Sequence, residues 1–193
     1  MLMSSSKTGY HHGDLARALE DAAMHLLERM PAADISLREV ARAADVSHNA
    51  PYHHFSDRLG LLKAIAERSM ADLLAQVQNA TTDAATPRAA LAAGGEAYIR
   101  FAVEHPHAFD AVYDPTVCVP GSPTATMAPL IDALEGALAA AAAATGLDRP
   151  TDVVALWGLI HGLGTLAAAG HFGLDDALAS YEALLGRLLP AGV

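Results

Sequence analysis

The chain has 193 residues, 52% of them hydrophobic, and a formal net charge of −10, so it is long enough and apolar enough to bury a sizeable core. The acidic balance argues against a protein that coats nucleic acid over its whole surface. The single cysteine, Cys118, excludes an internal disulfide framework, and we interpret it as a passive loop residue.

The first two predicted helices lie within the first 45 residues. Apolar residues recur at spacings of three and four over about 13–29, which is typical of a helix with one buried face, and Pro31 ends it. Ser36 and Glu39 have the spacing of a capping box, in which each side chain can satisfy a free backbone N–H group near a helix start. The capping box predicts a short second helix that begins near Ser36 and ends near Ala44.

Two more helices are predicted after a turn of about three residues. Ser47 can cap a third helix that ends near Phe55. Ser56 or Asp57 can then cap a long fourth helix that extends to about Asn79.

The first sixty residues contain six Lys or Arg against eight Asp or Glu, so most of the acidity lies beyond them.

The rest of the chain is predicted to be helical, apart from one long loop. The segment 114–129 contains four prolines, which is typical of a loop. The sequence has neither strand-like alternation nor an internal repeat, so we expect an all-α protein. Five further helices are predicted: 87–104, 107–113, 126–145, 151–169 and 175–189.

One predicted helical stretch must be distinguished from a membrane-spanning helix. Residues 153–174 include no Asp, Glu, Lys or Arg and are numerous enough to cross a bilayer. They include two histidines and five glycines, however, and no neighbouring basic cluster sets an orientation. The N-terminal segment also lacks the apolar run and cleavage site of a signal peptide. We therefore expect a cytoplasmic protein, with no membrane partner, in which this helix is buried in a core or a dimer interface.

Two short helices joined by a short turn form a helix-turn-helix layout, here over 36–55, whose second helix enters the major groove of DNA. Asn49 can pair with an adenine edge. His48 and His53 can donate to a guanine edge or a phosphate, and the hydroxyl of Tyr52 can reach a phosphate. These four side chains stay on the outer face when the apolar residues of the helix point to the core.

Neighbouring residues support the same interpretation. Arg58 lies near the start of the fourth helix, where a cation interacts slightly unfavourably with the helix dipole. A phosphate bound there would make the interaction favourable, because it would meet both the arginine and the free N–H groups. Ser36, which caps the other short helix, can add a contact to the DNA backbone. A polar N-terminal arm, residues 1–12, carries three more candidates: Lys7, His11 and His12.

These residues resemble the tetracycline-repressor (TetR) family of transcriptional regulators. The resemblance rests on the block YHHGDL, the pattern SLREVARAADVS, the run APYHHF and the arginine three residues after that run. It covers residues 10–72. The family's DNA-contacting positions fall here on eight residues: Ser36, Ser47, His48, Asn49, Tyr52, His53, His54 and Arg58.

Two positions depart from the family pattern. Asp45 stands in the turn where the family has Gly, but Asp tolerates a left-handed conformation better than most residues. Gly60 replaces a usual helix former and is expected to weaken the fourth helix by about 1 kcal/mol. Neither departure removes the resemblance.

The C-terminal part resembles the family at Trp157-x-x-x-His161-Gly162, which looks like the signature of one branch. The resemblance implies a pocket for a small-molecule effector, and the apolar and aromatic residues there indicate a mostly hydrophobic ligand. The loop 114–129 could gate access to it. Apolar and aromatic placement gives eight candidate pocket residues: Met70, Tyr98, Phe101, Phe109, Tyr113, Met127, Trp157 and His161.

The resemblance also implies an architecture and a mechanism. Residues 1–57 form a DNA-binding head, and residues 58–193 form a helical ligand-binding and dimerisation domain. The helices 151–169 and 175–189 pair across a twofold axis in a homodimer, so a double-stranded, roughly palindromic operator is expected. The ligand favours a conformation with wrongly spaced heads and thereby releases a repressor from DNA.

Two other classes of function stay open from the sequence. A helical enzyme would need a nucleophile paired with a base or a metal, but none is visible, and the histidines at 53–54 and 105–107 lack metal-binding spacing. We therefore predict no catalytic residues, no metal site and no cofactor. A helical adaptor that binds protein would not depend on Asn49 and Tyr52.

Overall fold

The computed structural model describes residues 12–119 and 121–189 of the chain. Within those residues the fold is all-α, as the sequence predicts. Its α-helices are α1 (His12–Leu27), α2 (Leu37–Ala43), α3 (Arg58–Thr82), α4 (Pro87–Glu104), α5 (Pro106–Tyr113), α6 (Met127–Ala143), α7 (Pro150–Ala168) and α8 (Leu174–Leu188). Two short 3-10 helices cover Ala32–Asp34 and Ala50–His53. The arm residues Lys7 and His11 and the side chain of His12 lie outside the described residues.

The start of α2 is fixed by the predicted capping box. Ser36 Oγ accepts a hydrogen bond from the backbone N–H of Glu39 at 3.3 Å, and Glu39 Oε2 accepts from the backbone N–H of Ser36 at 2.9 Å. The Ser36 hydroxyl also donates to this carboxylate at 2.7 Å. These hydrogen bonds hold the pKa of Glu39 below its ordinary value.

The turn after α2 closes with a Schellman motif at Asp45. The N–H of Val46 donates to the carbonyl of Ala41 at 3.0 Å, and the N–H of Asp45 donates to that of Arg42 at 3.3 Å. Asp45 has a φ of +53°, so this aspartate adopts the left-handed conformation that the turn requires. The expectation that Asp45 can replace the usual glycine is confirmed.

The third predicted helix is shorter and tighter than the sequence analysis expected. The 3-10 helix begins at Ala50 after Asn49, and the expected α-helix that begins at Ser47 is not formed. Pro51 lacks an N–H group and cannot donate to Ser47, so the segment is held mainly by bonds spanning three residues, such as Ala50 N–H to Ser47 O at 2.9 Å.

The long helix α3 connects the two ends of the molecule. Asp57, rather than Ser56, caps it, since Asp57 Oδ1 accepts from the N–H of Gly60 at 2.8 Å. Its 25 residues extend over about 37 Å and pack against α1, α4, α5 and α6. The buried apolar residues of the head and of the C-terminal helices form one cluster through α3. The division of the chain at residue 57 therefore stays a prediction.

Candidate DNA interface and ligand cavity

The segment from Ser47 to His53 presents polar side chains on its outer side. Ala50 and Pro51 are buried, and Phe55 is 4% exposed, so these three residues anchor the segment to the head. The five predicted contact residues of this segment are all exposed: Ser47, His48, Asn49, Tyr52 and His53. This arrangement leaves one hydroxyl, one amide, one phenol and two imidazoles free to meet base edges or phosphates.

Three other predicted DNA-contact residues also make contacts inside the chain. Nε2 of His54 lies 3.2 Å from Oε1 of Glu20 on α1. The guanidinium of Arg58 donates to the backbone carbonyl of Ala33, which orients it beside the start of α3. The hydroxyl of Ser36 is occupied by its capping box. These three are therefore more restricted than the residues of the 47–53 segment.

Two arginines on α2 are further candidate contacts that were not predicted from the sequence. Arg38 and Arg42 are exposed and four residues apart, so they lie on one face of the helix. Within the described residues neither forms an ion pair, whereas Arg68 on α3 pairs with Asp21 at 3.4 Å. Their helical spacing next to the capping box is the feature of the sequence that could have identified them as phosphate contacts.

A cavity of about 940 Å³ lies in the C-terminal part of the molecule. Helices α3, α4, α6 and α7 form its walls, together with the end of α5 and the loop that follows α5. Apolar residues of each helix line it, including Met70 on α3, Leu91 on α4, Leu134 on α6 and Ile160 on α7. Its size and apolar character are typical of a site for a small organic molecule.

A hydrogen-bonded chain of three side chains lies at this cavity. Oη of Tyr98 is 2.5 Å from Oη of Tyr113 and 3.0 Å from Nδ1 of His161. Burial raises the pKa of both phenols, and burial lowers the pKa of His161. All three groups are consequently held in their uncharged forms at neutral pH.

The structure brings some of the predicted pocket residues together and separates others. Phe109 and His161 pack behind the cavity wall, with ring centroids 5.4 Å apart. Phe101 is buried in the core against His105, and Met127 lies beside Lys63 and Glu67 at a small neighbouring cleft, so neither lines the cavity. The four predicted residues that line it are Met70, Tyr98, Tyr113 and Trp157.

Helix α6 contributes a wall of the cavity that was not predicted from the sequence. Ile131, Leu134, Glu135 and Leu138 all line the cavity. The sequence of α6 is apolar almost all round, so no stripe of hydrophobic residues indicates which face lines a site. Cys118, interpreted from sequence as a passive loop residue, also lines the cavity, and burial raises the pKa of its thiol.

One face of α7 is apolar and uncovered in the single chain. Val154 is 66% exposed and Leu166 is 44% exposed, and a Cβ atom added at Gly158 or Gly162 would meet no atom within 4 Å. These four positions are spaced by four residues and so share one side of the helix. By length and hydropathy α7 could also cross a membrane, but a single helix of this kind is weak evidence for that.

The described residues offer no cluster of three or more His, Cys, Asp or Glu side chains that could hold a metal ion.

Two family models match the chain. The model for "Bacterial regulatory proteins, tetR family" matches residues 19–65, and the model for "Tetracyclin repressor-like, C-terminal domain" matches residues 91–188. No curated protein has significant sequence similarity to the chain.

Solved structures share the whole architecture. A protein with unknown function from Rhodococcus sp. RHA1 is 31% identical over 95% of this chain and 99% of its own, with a TM-score of 0.78. The TetR-family transcriptional regulator PfmR from Thermus thermophilus is 26% identical over 89% and 97%, with a TM-score of 0.62. AibR, solved with isovaleryl coenzyme A and operator DNA, is 22% identical over 91% and 98%, with a TM-score of 0.59, which shows a shared fold.

Proposed function

The chain belongs to the TetR family of DNA-binding transcriptional regulators, and from this premise we propose that it is a homodimeric repressor that a small, mostly hydrophobic ligand releases from a palindromic operator. One observation carries the proposal: α3 begins at Arg58, beside the exposed 47–53 segment, and its residues Met70, Val77 and Thr81 line the large cavity. A single rigid element therefore adjoins both the DNA interface and the ligand cavity.

The proposed DNA interface consists of the 47–53 segment, which contacts bases, and helix α2, which contacts phosphates. Asn49 and Tyr52 meet base edges and nearby phosphates in the major groove, because they are exposed and have no competing partner among the described residues. Arg38 and Arg42 neutralise phosphates alongside, and such contacts set position rather than sequence preference. This division accommodates an acidic protein, because only the local charge at the head needs to be favourable.

The dimer is proposed to form through α7 and α8. The face of α7 at Val154, Gly158, Gly162 and Leu166 is apolar, and the two glycines would allow the backbones of two helices to approach closely. Of the 18 most apolar consecutive residues of α7, only 22% are buried within one chain, so a second copy would remove much of this surface from water. A twofold dimer would place the two heads about 34–36 Å apart on successive major grooves.

Ligand response is proposed to act on the separation of the heads. Helix α5 packs against α3 and against the 3-10 helix Ala32–Asp34 of the head, and its last residue, Tyr113, lines the cavity. A ligand that prefers a different position of Tyr113 or α3 would shift the heads by its differential binding energy. AibR, which has been solved with both an acyl coenzyme A and operator DNA, supports the pairing of these two kinds of ligand in this fold.

We propose no catalytic activity and a cytoplasmic location, as is usual for regulators of this family.

The test of the proposed function is selection of bound DNA from a pool of random duplexes with the full chain. We expect enrichment of a palindrome whose half-sites are about 10 base pairs apart or a multiple of that spacing. Failure to enrich any sequence, or enrichment of one unrepeated site, would contradict the proposal of a dimer on a palindromic operator.

A further inference from the structure

We propose that the cavity takes a lipophilic organic cation, whose charged nitrogen lies against Glu135, Tyr113 and Trp157 while its apolar body lies between α4 and α6. The inference rests on the proposed function, because it takes the cavity as the effector site and names the chemical class of the effector. Three features of the cavity wall carry it: its charge, its aromatic faces and its hydrogen-bond chain.

The charge of the wall favours a cation. Among the described residues that line the cavity, Glu135 is the one Asp or Glu side chain, and none is Lys or Arg. Glu135 lines the cavity while being exposed to solvent, and it has no ion-pair partner in the described part of the chain. Burial chiefly raises the pKa of Tyr113, and the charge of Glu135 adds a smaller contribution in the same direction. An anionic ligand would enter an apolar space without a counter-charge and beside a like charge, which is costly.

Aromatic faces surround the same end of the cavity. Tyr98, Tyr113 and Trp157 all line it. Their rings pack around that of His161 behind the wall, with Tyr113 at 4.7 Å and Trp157 at 5.4 Å, so the three side chains occupy one part of the wall. The negative face of an aromatic ring attracts a cation, most strongly for Trp, and since Trp157 is 44% exposed the attraction expected there is about two- to fivefold in affinity, which corresponds to about 0.5–1 kcal/mol. An uncharged ligand of the same shape would gain the apolar contacts without this attraction.

The hydrogen-bond chain can present an acceptor to the ligand. If Nδ1 of neutral His161 accepts from Tyr98, then Tyr98 Oη accepts in turn from Tyr113, and the Tyr113 oxygen keeps free lone pairs. A protonated amine can donate an N–H to that oxygen. In the reverse direction Tyr113 accepts from Tyr98 and keeps one free lone pair and a free O–H, so the first arrangement offers the ammonium group the better acceptor.

The experiment compares three probes with the same alkyl chain and different head charge: octylammonium, 1-octanol and octanoate. Trp157 is the only tryptophan in the chain and lies on the cavity wall, so its fluorescence reports occupancy directly. We expect octylammonium to bind about three- to tenfold more tightly than 1-octanol, and octanoate to bind least.

Two isosteric variants of α6 locate the source of that preference. Glu135→Gln should reduce the affinity for octylammonium by about two- to fivefold and leave that for 1-octanol unchanged. Asp132→Asn removes the same charge from an exposed position of the same helix outside the cavity lining and should retain the preference. Equal affinities for octylammonium and 1-octanol, a preference that is undiminished in Glu135→Gln, or no binding of any probe would overturn the inference.

A parallel measurement separates this inference from the proposed function. Operator affinity is measured with a labelled duplex from the DNA selection, first without probe and then with octylammonium. Operator binding together with a lost cation preference would refute the cation inference alone. A cation preference in a chain that binds no operator, or whose operator affinity octylammonium leaves unchanged, would instead count against the proposed ligand-released repressor.

Discussion

Replacing both Gly158 and Gly162 with Ala tests whether the exposed face of α7 pairs two copies of the chain. In the single chain an added Cβ atom at either position meets nothing within 4 Å, and both residues lie in the interior of a helix. Ala is a better helix former than Gly by about 1 kcal/mol per residue. If this face stayed in solvent, the double variant would gain about 2 kcal/mol in its free energy of unfolding.

If α7 pairs across a twofold axis, the same double substitution should destabilise the protein. Each substitution then places a methyl group in a close helix contact in both copies, and overpacking of a well-packed contact costs about 1–3 kcal/mol per site. Gly136→Ala is the matched control, because Gly136 is also an open position inside a helix, on α6. That variant should gain about 1 kcal/mol whether or not α7 pairs.

The assay is sedimentation velocity over a range of protein concentrations, together with thermal unfolding of the same samples. We expect the Gly158→Ala/Gly162→Ala variant to dissociate at concentrations where the wild type and Gly136→Ala remain dimeric. A double variant that stays dimeric and unfolds at a higher temperature than the wild type would refute the assignment of this face as the interface.

Three substitutions test the fold that positions the two sites. Asp45→Gly should raise the free energy of unfolding by about 0.5–1 kcal/mol in urea denaturation, because Gly adopts the φ of +53° without a Cβ penalty; a decrease would contradict the Schellman assignment. Gly95→Ala should lower it by about 1–3 kcal/mol, since the added Cβ would lie 2.6 Å from Cε1 of Tyr181 on α8; thermal unfolding unchanged from the wild type would show that α4 and α8 can separate. Hydrogen bonds from Ser36 lower the pKa of Glu39, so the ionised carboxylate stabilises the fold above pH 4.5 and this stabilisation is lost as the pH falls through the lowered pKa. Glu39→Gln should therefore flatten the acid side of the curve of unfolding free energy against pH. A curve identical to that of the wild type would refute this role of Glu39.

Local sequence signals predicted the capping box and the turn of the head more accurately than the 47–53 segment. The capping box at Ser36 and the turn at Asp45 involve residues within a few positions of one another, so their chemistry can be inferred from the sequence alone. The bounds of α4, α5 and α7 also agree with the predicted helices to within one residue. The helix expected from Ser47 was wrong in type and length because the missing N–H of Pro51 changes the bonding of the whole short segment.

The cavity could be predicted only in part, since it depends on how distant helices pack. Tyr98 and Trp157 were recognisable as large residues with a polar atom, a type that ligand sites use often. Phe101 has the same apolar character but faces the core, and only the packing of α4 against its neighbours distinguishes the two cases. Glu135 gave no signal at all, because a lone carboxylate on an Ala-rich helix is usually a solvated surface residue.

The central claim is that the 47–53 segment contacts base edges, and the affinity of an Asn49→Ala/Tyr52→Ala variant for the selected operator tests it most directly. Fluorescence anisotropy with a labelled duplex should show at least about a tenfold loss of operator affinity relative to the wild type, with binding to unrelated duplex DNA much less affected. A folded, dimeric variant that binds the operator as tightly as the wild type would contradict the claim and favour a helical adaptor.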